Sequence, residues 1–147
     1  MDKNHISHIY SSKNTKLFGM LPDNKEILCH TLSNKSGYEF SVINYGATIT
    51  SLKIPVAAEE KIDVVLGFET LNDYIQSFDL PSAPYFGAIV GRYAGRINNA
   101  SFLLNGKKIK LSENHNSHQI HGGKNGFSQK FWEVTAITDG ENPSITL

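Results

Sequence analysis

Two runs organise this chain: Tyr85-Phe-Gly-Ala-Ile-Val-Gly-Arg-Tyr-Ala-Gly-Arg-Ile97 and, after a hairpin pattern, Gln119-Ile-His-Gly-Gly-Lys-Asn-Gly-Phe127. Ordinary packing asks for neither. The first sets Arg92 and Arg96 among glycines and small residues. The second places His121 directly before Gly122 and Gly123. Glycine admits φ > 0 and lets a ligand come close to the backbone. A hairpin between the runs could bring Arg96 and His121 into one pocket. An unperturbed imidazole titrates at about 6.5, so His121 can give or accept a proton near neutrality. A guanidinium fork suits hydroxyl and ring oxygens as well as carboxylates, whereas the alternative for Arg96 is a surface ion pair. The residues alone leave the functional reading of both side chains open.

Upstream, the pattern is that of a sheet. Residues 17–21 form a short apolar segment closed by the turn Pro22-Asp23-Asn24. A strand is expected over 26–32, a polar turn over 33–37 and a return strand over 38–44. Tyr38, Phe40 and Val42 share one face of that strand by period two. Tyr45-Gly46 interrupts the run, and residues 47–54, rich in Thr and Ile, read as another strand. Pro55 should end it, because proline lacks the donor that a central strand needs, and 56–61 then reads as a turn region. Residues 63–68 are nearly continuously apolar and read as a short strand buried on both faces. The helix signal is Thr70-Leu-Asn-Asp-Tyr-Ile75, with Thr70 as cap and Asp73 in a capping-box-like position, sufficient for little more than two turns.

Residues 79–84, with two prolines, read as a loop, and 86–90 as a strand entering the glycine-rich run. Phe102-Leu-Leu-Asn-Gly-Lys-Lys-Ile109 carries the strongest local signal. Asn-Gly between two strand-like arms prefers a two-residue type I′ turn. Leu111 closes the second arm, and 112–117 is polar and irregular. Residues 131–137 and 144–147 read as two further strands joined through Asp139-Gly140. Short strands with turn signals every eight to twelve residues or so predict an all-β, mainly antiparallel sandwich or barrel.

Composition narrows the function classes. The chain has 147 residues, enough for one domain with a real core, and 39% are hydrophobic against 19% charged. That balance argues against disorder. The formal net charge is zero and the basic residues are scattered, so no overall field attracts nucleic acid or an anionic membrane. No apolar stretch reaches the length of a membrane span, and the polar residues 1–14 do not form a signal peptide; the simplest localisation is cytoplasmic. Those first residues are expected to be loosely held. The single cysteine, Cys29, lies in an apolar run and reads as a buried core thiol.

Several chemistries find no support. A Gly-x-Ser-x-Gly elbow is absent, and Gly91-Arg-Tyr-Ala-Gly95 lacks the Gly-Lys-Ser/Thr ending of a phosphate loop. His115, His118 and His121 stand three residues apart and could give zinc three nitrogens. That spacing shares a face only on a helix, which the Asn, Ser and Gly-Gly in this segment disfavour, so no metal is assigned. The bland reading of His115 and His118 is solvation in a loop.

Taken together, the motifs resemble the N-terminal part of the aldose 1-epimerase (galactose mutarotase) family. The resemblance rests on Asn44-Tyr-Gly-Ala-Thr-Ile-Thr-Ser-Leu52, Asp63-Val-Val-Leu-Gly-Phe68 with Tyr74, the run from Pro84 to Ile97, and Ile120-His-Gly-Gly123 with Gly126-Phe127 and Trp132. It runs in order from about Phe18 to the end. It implies part of a β-supersandwich over residues 15–147, preceded by the loose segment 1–14. It also implies interconversion of α and β anomers of free hexoses such as galactose or glucose, without metal or organic cofactor. By the same resemblance Gly95, Arg96 and His121 contact the sugar, with His121 also a possible proton-transfer group. The family often has Asn where this chain has Gly95. Its general base, a glutamate, and its acid, a second histidine, match nothing here; Asp79, Glu113 and Glu133 do not fit the motif of the base. The chain is therefore expected to be an N-terminal portion, inactive by itself: a truncated product, an incomplete gene model or one part of a split protein. Two other readings stay open, a non-catalytic carbohydrate-binding or interaction module and a phosphosugar 1-epimerase relative. A small aldose is the expected partner, and the oligomeric state is not legible.

Overall fold

In the computed structural model, which describes residues 14–57 and 60–147, the first half of the chain folds as one antiparallel sheet. Its strands are β1 (Thr15–Met20), β2 (Glu26–Ser33), β3 (Glu39–Ile43), β4 (Thr48–Ala57) and β5 (Glu60–Asp63), each beside the next in sequence. The expectation for residues 1–14 lies, Asn14 aside, outside the described residues. The register of β2 against β3 sets Cys29 opposite Ile43 on one face and His30 opposite Val42 on the other. Both pairs are buried, so the central strands are covered on both sides. Cys29 is a core thiol, 4% exposed.

The helix α1 (Leu71–Ser77) lies against the Cys29 face. Thr70 caps it: its Oγ1 accepts the Asp73 N–H at 3.2 Å and donates to the Asp73 carboxylate at 2.6 Å. Leu71 and Tyr74, three apart and so on one face, join Ile27, Cys29, Ile43 and Tyr45 in the core, with Phe18, Phe68 and Phe78 packed around them. Each such side chain stabilises the fold by about 1.5–3 kcal/mol through burial.

Upstream of residue 91 three expectations fail, each because a distant partner overrides the local pattern. Pro55 does not end β4, which continues to Ala57 opposite β5. Pairing with β3 stops at Lys53, so the strand is one-sided there, and the ladder is irregular between Pro55 and Ala57; proline is tolerated in such edge-like, bulged positions. Residues 64–68 are not a buried strand: the strand is β5, wholly exposed, and Val64 and Leu66 are 53% and 73% exposed. Asp63 stops the ladder, its Oδ1 accepting the N–H of Leu52 and of Val65 and its Oδ2 the Ser51 hydroxyl. Residues 86–90 are not a strand either: Tyr85 (φ 52°) and Gly87 (φ 63°) turn the backbone out of the extended region, and the segment is held instead by the Ile49 N–H donating to the Gly87 carbonyl at 2.9 Å and the Ile89 N–H donating to the Gly46 carbonyl at 3.0 Å.

The remaining strands are short: β6 (Arg96–Ile97), β7 (Ser101–Leu104), β8 (Lys107–Lys110), β9 (Gln119–Ile120), β10 (Ala136–Thr138) and β11 (Ser144–Thr146). β7 and β8 form the expected hairpin, with Asn105 (φ 48°) and Gly106 (φ 76°) as its two-residue turn. β10 pairs with β11, so of the strand expected over 131–137 only residues 136 and 137 are strand. Before them Phe131 bridges Tyr45, the Trp132 N–H donates to the Asn44 carbonyl at 2.8 Å and the Thr135 N–H to the Thr146 carbonyl at 2.8 Å. The architecture is all-β and mainly antiparallel. No helix among the described residues is long and apolar enough to cross a membrane.

Candidate functional site

β6 and β9 pair antiparallel, Arg96 opposite Ile120 and Ile97 opposite Gln119, and the β7–β8 hairpin is the excursion between them. This pairing brings the two motif runs together. The His121 N–H donates to the Gly95 carbonyl at 3.0 Å. The Gly95 N–H donates to His121 Nδ1 at 3.2 Å, so Gly95 is held by both the backbone and the ring of His121. The chain then turns sharply through His121 (φ 53°), Gly122 (φ 90°) and Gly123 (φ 80°). Gly122 is forced: a Cβ there would lie 1.8 Å from the Gly91 carbonyl oxygen. That oxygen also accepts the Phe127 N–H at 3.0 Å, which ties the end of the second run to the first.

A file of rings connects the core to the site. Tyr45 meets Phe78 at the end of α1 at 6.5 Å between centroids, Phe78 meets Tyr85 at 5.3 Å, and Tyr85 meets His121 at 4.8 Å, all edge to face. Phe78, Tyr85, Arg96, Asn114, His115 and His121 line a cleft of about 270 Å³. A wider recess of about 570 Å³ shares Tyr85, Asn114 and His115 and adds Asp79, Lys124 and Gln129.

The electrostatics define the state of His121. Burial, and secondarily the Arg96 cation, hold its pKa below the ordinary value of 6.5. It is neutral at pH 7. Since Gly95 N–H occupies Nδ1, the single ring proton is assigned to Nε2. The cleft therefore presents a neutral N–H donor beside a permanent guanidinium, rimmed by aromatic rings. Burial raises the Tyr85 pKa, so its hydroxyl stays protonated. No carboxylate is among the described residues lining the smaller cleft. The arrangement suits a small neutral molecule rich in hydroxyls, and His121 can deliver or share one proton with it.

The paired arginines part company. Arg96 lies in the cleft with His121; the Arg92 guanidinium carbon sits 5.2 Å from the centre of the Phe127 ring and faces a different groove. The histidines also separate. His115 lines the cleft rather than standing free in a loop, and His118 Nδ1 accepts the Asn99 N–H at 3.1 Å. Among the described residues no group of three His, Cys, Asp or Glu is placed to hold a metal ion. Tyr85 and Asn114 were not singled out as site residues by the sequence. Tyr85 opens the glycine-rich run, a position that hinted at it; nothing in the sequence distinguishes Asn114 from Asn116.

The family model for aldose 1-epimerase matches residues 28–147. The galactose mutarotase of Sus scrofa is 36% identical over 124 residues, 84% of this chain and 35% of that protein. The aldose 1-epimerase of Haemophilus influenzae is 38% identical over 125 residues, 82% of this chain and 33% of that protein. Among solved structures, an aldose epimerase homologue from C. elegans superposes with a TM-score of 0.65 at 32% identity, covering 74% of this chain and 32% of its own. A galactose 1-epimerase from Lactobacillus acidophilus gives 0.67 at 26% identity, covering 85% and 34%. The chain thus spans about a third of the length of the relatives it matches.

Proposed function

The chain belongs to the aldose 1-epimerase family, and on that premise we propose that it takes part in interconverting the α and β anomers of a free hexose such as galactose or glucose. Ring opening takes the proton from the anomeric hydroxyl and delivers one to the ring oxygen; closure on the other face of the carbonyl gives the other anomer. In this reading the cleft beside β6 and β9 is the sugar-facing wall that this chain contributes. Arg96 donates to sugar hydroxyls, Gly95 leaves room for the ring to approach the backbone, and His121 offers its Nε2–H to a sugar oxygen. The observation that carries the proposal is the bond from Gly95 N–H to His121 Nδ1, which leaves an oriented, neutral Nε2–H beside Arg96.

One imidazole cannot act as base at one oxygen and acid at the other in the same step. With no carboxylate lining the cleft among the described residues, residues 1–147 alone should bind hexose weakly and turn it over at close to the buffer rate. Missing one general catalyst costs about 10²–10⁴ in rate. The same observation favours a second reading, a carbohydrate-binding module without catalysis. Polarimetry of freshly dissolved α-galactose or α-glucose, with titration calorimetry, tests both on the 147-residue chain. Binding weakened by Arg96→Ala and by His121→Ala, with a rate near buffer, is expected. A rate well above buffer that His121→Ala abolishes would show a complete site and overturn the partial one; failure to bind either sugar would remove the sugar reading. The longest protein encoded at the locus separates the two classes: turnover there makes it an epimerase, and binding without turnover makes it a module.

A further inference from the structure

Three hydrogen bonds from the Asn114 side chain converge on the elements that hold His121. Its Oδ1 accepts the Ile120 N–H at 2.8 Å, and its Nδ2 donates to the Ile120 carbonyl at 3.0 Å and to the Tyr85 hydroxyl at 3.3 Å. The strand register explains the first two. The bond from His121 N–H to the Gly95 carbonyl makes Arg96 and Ile120 a non-hydrogen-bonded pair, so the N–H and C=O of Ile120 point away from β6. A buried backbone donor and acceptor need partners. The Asn114 amide offers an acceptor and two donors and stands in for a strand on that side. Asn114 is itself anchored at the base of a closed loop: its N–H and that of His115 donate to the His118 carbonyl, at 3.1 and 3.2 Å, and His118 N–H returns to the His115 carbonyl at 3.0 Å. The third side-chain bond reaches Tyr85, whose ring packs edge to face on the His121 imidazole.

We infer that Asn114 is a positioning residue: through the Ile120 backbone and the Tyr85 ring it holds the His121 imidazole with Nδ1 on Gly95 and Nε2–H turned to the cleft. Its consequence for sugar binding rests on the epimerase reading; its effect on the imidazole does not. Asn114→Ala in the 147-residue chain, labelled with ¹⁵N and read by long-range ¹H–¹⁵N spectra of the histidine rings, tests it. The wild-type chain should give the Nε2–H tautomer for His121 and a hydrogen-bonded Gly95 amide. The variant should give mixed tautomers, an upfield-shifted Gly95 amide and hexose affinity lower by about tenfold, the worth of one good hydrogen bond. Resonances of the five-stranded sheet should stay in place. A folded variant with the wild-type His121 tautomer and Gly95 amide overturns the inference. Should Asn114→Ala fail to fold, Asn114→Asp keeps the acceptor for Ile120 N–H and loses the donors. Mixed tautomers are again expected there, and the wild-type ring spectrum again overturns it. If the wild-type chain binds neither galactose nor glucose, the sugar reading falls while the ring spectra still decide the part of Asn114.

Discussion

Gly122→Ala should be among the most damaging single-methyl additions available in this fold. The new Cβ would lie 1.8 Å from the Gly91 oxygen, 2.6 Å from the Gly91 carbonyl carbon and 3.2 Å from the Gly126 Cα, all backbone atoms that cannot swing aside like a side chain. A carbon–oxygen contact relaxes only near about 3.3 Å, so one segment must move by about 1.5 Å. That shift breaks the bond from Phe127 N–H to Gly91, costing about 1–3 kcal/mol with a group left unpaired. Overpacking adds about 1–3 kcal/mol, and an L-residue at φ 90° adds about 1–2 kcal/mol. The total is about 4 kcal/mol or more. Gly95→Ala is the internal control: φ is +83° and a Cβ there meets nothing within 4 Å, so only the conformational cost of about 1 kcal/mol applies. Effects on the unfolded chain are common to both and cancel. With a urea dependence of about 2 kcal/mol per molar, the two denaturation midpoints should differ by about 1.5 M. Equal midpoints would refute the claim that Gly91 and Gly122 are in forced contact, and with it this account of how the His121 turn is held.

Two further outcomes concern the hairpin turn and the buried histidines. Gly106→Val should lower stability by about 1–2 kcal/mol, since a β-branched residue resists the φ of 76° that the hairpin turn needs; nothing crowds the site, so an unchanged midpoint would count against the turn itself. Stability should also fall as pH drops below about 6.5. Burial depresses the pKa of His30, 2% exposed with Nδ1 on Thr15 Oγ1, and His121 is depressed by burial and Arg96, so the unfolded chain takes up protons first. Above that pH both states hold these rings neutral and the effect vanishes. Below it the loss grows until the folded rings protonate too. His30→Gln should flatten part of the slope between pH 7.5 and 5.5 in urea titrations, and a slope untouched by it would contradict a buried neutral ring.

What the sequence determined by itself was whatever depends on neighbours along the chain. Asn105-Gly106 specifies its turn because the backbone conformation is demanded by those two residues and the strands beside them. Thr70 and Asp73 specify the start of α1 because both partners lie within one turn. The strands expected over 26–32 and 38–44 lie close to where β2 and β3 are found, and four ordered motifs identify the family. The motif runs also named Arg96 and His121, which the β6–β9 pairing brings to one cleft, and Gly95, whose N–H bonds the His121 ring. Only the tertiary structure decided the rest. Pro55 is tolerated because β3 has ended beside it; Asp63 halts a strand by bonding Ser51 and Leu52; and the run over 86–90, apolar enough for a strand, is instead turned at Gly87, whose carbonyl accepts the Ile49 N–H. Asn114 acquires its place because the β6–β9 register leaves the polar backbone of Ile120 facing away from β6. In each case the deciding partner comes from another part of the fold, and a side chain's hydrogen-bonding capacity does not record which distant backbone group it will meet.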